Sequence, residues 1–166
     1  YLYYQYGEAI GYAYSIPARL SSDFDINRAY GPSVGDHKVY GPAYLLITRI
    51  PVLALRNITG LDVFSLWHLF NFISFLIGVF YLYRLGLRWL KPTSAYWMAL
   101  LYLTQPLLWG HAFINPKDPP FATLFIITIY YGFKMVDQFS SGNISPKKID
   151  RTQLWPVILV GVLIGI

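Results

Sequence analysis

Between Asp62 and Arg84 the chain runs for 21 residues, Val63 to Tyr83, without a formal charge, and no other feature constrains its fold as strongly. At 1.5 Å per residue such a run crosses a hydrocarbon core about 30 Å thick as a helix. A helix is required because lipid offers no partner to a backbone N–H or C=O. Composition points the same way: 55% of the residues are hydrophobic and 13% charged, against about 25% charged in a soluble domain. Cysteine is absent, which excludes disulfide scaffolds, Cys-based zinc sites and thiol nucleophiles. The net charge of +5 sits in short groups flanking apolar runs, so it reads as membrane topology, and no nucleic-acid partner is expected.

Further spans follow. Thr93 to Ile114 is a second uncharged stretch, interrupted by Pro106, whose ring removes a helix hydrogen bond and kinks the helix or ends it early. A third starts at Pro119 and Pro120, suited to a first helical turn, and runs to about residue 136, with Lys134 snorkelling. Leu154 to Ile166 is a truncated fourth, 13 residues long where about 20 are needed. With no initiator Met or signal pattern at Tyr1, the chain reads as an internal fragment of a larger polytopic protein. The turn holding Arg84, Arg88 and Lys91 and the connection from Lys134 to Gln153 are basic, hence cytoplasmic by the positive-inside rule. The segment His111 to Pro120 then faces the other side. Residues 1–62 read as a first outer loop. Its Tyr40–Leu55 stretch, with Arg49 and Pro51 in the middle, fits a helix lying in the interface better than a span.

Three polar groups stand out. His111, Asn115, Lys117 and Asp118 lie within eight residues, stiffened by Pro116, Pro119 and Pro120. There Lys117 suits a phosphate oxygen and Asp118 a hydroxyl or a cation. A loop with a helix cap and a snorkelling Lys is an equally good reading of the same residues. His37, beside Asp36 and Lys38 and close to Tyr40, titrates near neutral pH, although a solvated turn is the simpler reading. In the first span Ser65, His68 and Asn71 repeat at spacings of three and mark a face expected to turn inward. His68, near the outer end, could reach the pocket of Asp118. No nucleotide-binding, serine-hydrolase or zincin motif occurs.

The order of these pieces resembles a family, the GT-C fold glycosyltransferases that use polyprenyl-phosphate donors, including protein O-mannosyltransferases and the aminoarabinose transferase of lipid A. The likeness runs from Tyr1 to about Gln138. It starts with the Tyr-rich Tyr3-Tyr4-Gln5-Tyr6-Gly7-Glu8 and passes through the Tyr40-Gly41-Pro42 entry to the interfacial helix. It ends on Gly110-His111-Ala112-Phe113-Ile114-Asn115-Pro116-Lys117-Asp118-Pro119-Pro120-Phe121, which is similar to a string in bacterial family-39-like members and is its most specific part.

The resemblance implies an all-α polytopic membrane protein with a large outer loop carrying interfacial helices. The implied location is a bacterial inner (plasma) membrane, with the active site on the non-cytoplasmic face. The implied reaction is sugar transfer from a lipid-linked donor to an acceptor that the sequence does not identify. Asp118 is carried over as a catalytic candidate, with Lys117, Asn115, His111, His37, Tyr40 and His68 as substrate-binding candidates. The family's main base would lie upstream of Tyr1, so these 166 residues are expected to be inactive alone. No cofactor is assigned; a divalent metal stays open, because Tyr40-Gly41-Pro42 stands where some members carry a ligating Glu. The alternative is a transporter or flippase segment without covalent chemistry, in which the polar residues of the first span would line a path.

Overall fold

The computed structural model describes residues 11–13, 15–25 and 43–140. The Tyr-rich start, His37, Tyr40 and the run from Leu154 lie outside the described residues. Six helices are described: α1 (Ile16–Arg19), α2 (Ala43–Thr59), α3 (Val63–Gly86), α4 (Pro92–Thr104), α5 (Pro106–Ile114) and α6 (Asp118–Ser140). No strand occurs among the described residues. Two stretches, Val63–Gly86 and Asp118–Asp137, are long and apolar enough to cross a membrane.

Proline sets three of the helix boundaries. The residue before a proline is pushed out of the helical region by the ring, and Lys91 (ψ 150°), Gln105 (ψ 118°) and Asn115 (ψ 106°) are all extended ahead of Pro92, Pro106 and Pro116. The uncharged stretch 93–114 is therefore two helices, α4 and α5, separated at Gln105, rather than one bent helix. Pro51 is the exception, sitting inside α2.

The chain divides into two compact units, Tyr1–Phe72 and Ile73–Ile166. In the first, Ser15 caps the short α1, its Oγ accepting from the Ala18 N–H at 3.4 Å. Helix α2 lays Val52 against Val63, Leu66 and Trp67 of α3, with Leu45, Leu55 and Phe70 closing the cluster. Beneath it the Tyr44 hydroxyl donates to Asn71 Oδ1 at 2.8 Å. Asn71 is fully buried, and burial pushes the Tyr44 phenol up to about 12, since the charged form cannot be hydrated there. Ile47, Ile50 and Ile58 stay exposed on another face of α2. This gives α2 apolar residues on two sides, one packed on α3 and one exposed. Gly60 ends α2 in the left-handed region at φ +68°, where a Cβ is disfavoured. Asp62 then opens α3, its Oδ2 accepting from the Ser65 N–H (3.0 Å) and hydroxyl (3.2 Å).

In the second unit α3 and α6 pack closely. A Cβ placed on Gly78 would come within 2.5 Å of Thr123 Oγ1, so only glycine permits this approach. Thr123 is buried and donates to the Ser74 carbonyl at 3.0 Å. Phe75 stacks on Tyr102 of α4, ring centroids 5.5 Å apart. Helix α5 touches both α4 and α6, with Ala112 completely buried.

Candidate functional site

The turn joining α5 to α6 gathers His111, Asn115, Lys117 and Asp118, and Asn115 is its hub. The Asn115 N–H closes α5 on the His111 carbonyl at 2.9 Å. Its extended backbone, imposed by Pro116, turns the side chain forward over the start of α6. There Oδ1 accepts from the N–H groups of Lys117 (2.9 Å) and Asp118 (3.2 Å), satisfying two donors that no helix carbonyl can reach. From the same amide, Nδ2 donates to Asp118 Oδ2 at 2.7 Å and lies 3.3 Å from His111 Nδ1. One side chain thus holds the backbone, the carboxylate and the imidazole in a single arrangement.

Asp118 stands in the first turn of α6, where the helix dipole favours a negative charge. The next two residues, Pro119 and Pro120, are buried; neither has an N–H, and the first helical turn needs none. Together with Thr123, they fix this end of α6 against the unit while Asp118 and His111 remain exposed. Lys117 is half-buried, and its carbonyl accepts from the Phe121 N–H at 3.0 Å. Exposed apolar groups flank the polar turn in the chain, Ile114 (59%) just before it and Phe121 (70%) just after it. Phe125 stacks beside Phe121 at 6.4 Å.

Among the other candidates, His68 is half-buried on the part of α3 that belongs to the first unit. The inward face expected of Ser65, His68 and Asn71 holds for Asn71 and fails for Ser65. Ser65 lies in the first turn of α3, is exposed, and serves the Asp62 cap. No cluster of three or more His, Asp or Glu able to hold a metal occurs among the described residues. Thr123 and Gly78, which fix the start of α6, carry no signal in the sequence beyond being small residues within apolar runs.

Chemically, the turn presents a carboxylate oriented by an amide, an imidazole beside it and a lysine in the adjoining position, with exposed apolar residues on either side of it in the chain. Comparison with protein-family models, curated proteins and solved structures gives no match.

Proposed function

We propose that the chain is part of a membrane glycosyltransferase that takes its sugar from a polyprenyl-phosphate donor at the outer membrane face. The observation that carries this reading is the Asn115-held carboxylate of Asp118, exposed at the start of an apolar helix and flanked in the chain by exposed Ile114 and Phe121. Such apolar flanks suit a ligand that is half lipid, and the polar turn suits its phosphate and sugar. Only 33% of the most apolar stretch of α3 and 17% of that of α6 are buried, an exposure that suits contact with lipid better than the core of a soluble domain.

In the proposed reaction an acceptor nucleophile, such as a hydroxyl, attacks the anomeric carbon. The bond from that carbon to the phosphate oxygen breaks, and the polyprenyl phosphate leaves with the electron pair. The acceptor proton passes to a carboxylate, a role to which Asp118 contributes. Lys117 would set its positive charge against the departing phosphate. His111 and Asn115 would orient the sugar and the carboxylate.

The test uses membranes bearing the natural protein, wild type or Asp118→Asn at matched expression, assayed for transfer from a radiolabelled polyprenyl-phosphate sugar pool. A fall of about 10²- to 10⁴-fold with normal insertion is expected. Unchanged transfer would remove Asp118 from the site, and no transfer by wild type across several donors would favour the transporter.

A further inference from the structure

Helix α3 ends beside the second half of α6, and three cations, Arg84, Arg88 and Lys134, collect there around tyrosine, phenylalanine and tryptophan rings. Arg84 donates from Nη2 to the Tyr130 hydroxyl at 3.1 Å, and its guanidinium carbon lies 5.8 Å from the Tyr130 ring centre and 6.0 Å from that of Phe80. Arg88 is clamped by both carboxylate oxygens of Asp137 and sits 4.8 Å from the ring centre of Phe133. Lys134 Nζ is 5.9 Å from the ring centre of Tyr131, whose hydroxyl meets that of Tyr81 at 3.2 Å. Lys91 follows in the adjoining turn. Residues 84–91 and 130–137 thus hold Arg84, Arg88, Lys91 and Lys134 against Asp137 alone, four positive charges less one negative, or +3.

We propose that this seam binds the headgroup phosphate of an anionic phospholipid. Charge complementarity requires an anion, because the single carboxylate is already engaged by Arg88. The surroundings select a lipid over a soluble anion: Leu87, Trp89, Leu90 and Val136 are exposed beside the cations, Trp89 by 60%. A phospholipid covers both surfaces at once, its phosphate on the cations and its acyl chains on the apolar groups. The rings hold the guanidinium groups in place, and the Tyr130 and Tyr131 hydroxyls add donors for phosphate oxygens. This site depends on α3 and α6 being spans and is independent of the glycosyltransferase reading, which concerns the other end of α6.

The experiment is native mass spectrometry of the natural protein released from nanodiscs of phosphatidylcholine containing a minority of phosphatidylglycerol. Wild type is expected to retain phosphatidylglycerol preferentially. Arg84→Gln and Lys134→Gln should each lower that enrichment about fivefold. Arg56→Gln, which removes an exposed cation of α2, should leave it unchanged. Should Arg84→Gln disturb the seam by unpairing Tyr130, Lys134→Gln decides the matter, since Lys134 contributes only a contact with a ring face. Equal retention of the two lipids by wild type, or equal enrichment in wild type and Lys134→Gln, would overturn the proposal.

Discussion

The two ends of α6 are both polar, yet they are assembled in opposite ways. At its start, Asn115 gathers partners two to four residues away in the chain. At its other end, Arg84 meets Tyr130 and Arg88 meets Asp137 across separations of 46 and 49 residues. The first is a local turn whose bonds all lie within residues 111–118. The second exists only once α3 and α6 have packed. The contrast teaches that a local cluster can orient a carboxylate through bonds between near neighbours in the chain, whereas a dispersed one reports on the helix pairing itself.

Substitutions can break this contrast. After the loss expected for Asp118→Asn, the largest effect should come from Asn115→Ala, which frees the carboxylate and unpairs two backbone donors. Transfer should fall about tenfold to a hundredfold, with thermal unfolding of the protein in detergent showing about 1 kcal/mol of lost stability. Unchanged activity would mean that Asp118 needs no orientation.

Next comes Gly78→Val, which drives a methyl into Thr123 and should remove about 1–3 kcal/mol. It should also abolish the lipid enrichment at the far end of α6 while sparing the Asn115 turn, whose amide contacts are local. Parallel loss of both would show that the turn, too, depends on helix packing.

Tyr44→Phe extends the test to another long-range contact. Leaving buried Asn71 without its hydroxyl donor should destabilise by about 1–3 kcal/mol. Because the folded phenol is raised above the ordinary Tyr value of 10.0 to about 12, the folded state holds its proton where the unfolded chain has lost it. This contribution is therefore intact below pH 10 and lost as pH rises from about 10 through about 12. The wild type's thermal stability should fall over that window, and Tyr44→Phe should flatten the fall.

The smallest effect belongs to Asp137→Asn, because the Arg88 pair is exposed and screened. Its unfolding midpoint should stay within measurement error of wild type. Lipid enrichment should rise, since the only competing carboxylate has gone. A fall would make Asp137 part of the lipid site.

The same distinction governs what was legible in the sequence. The start of α3 follows from Asp62, and its length from the absence of charge up to Arg84; Gly86 carries it slightly further. The stop at Thr59 and Gly60 extends α2 beyond the expected Leu55, because its last turn is closed by local hydrogen bonds that hydropathy does not encode. Pro106 permits either a kink or a break, and only the extended geometry of Gln105 distinguishes them. Ser65 shows the weakness of periodicity near a helix end, where a cap outweighs the helical face. The Arg84, Arg88 and Lys134 seam is invisible to a linear reading, which records three basic residues in two separate segments.

The break at Gln105 bears on where water can enter. Helices α4 and α5 hold 13 and 9 residues, about 20 and 14 Å at 1.5 Å per residue, so neither alone is as long as a hydrocarbon core is thick. At the restart Pro106 has no N–H, and Leu107 and Leu108 lie in the first turn, where amides point beyond the helical ladder. Acyl chains cannot accept those hydrogen bonds. Wherever this junction meets an apolar medium, those amides have to draw on neighbouring protein or on water, at the start of the helix that carries His111.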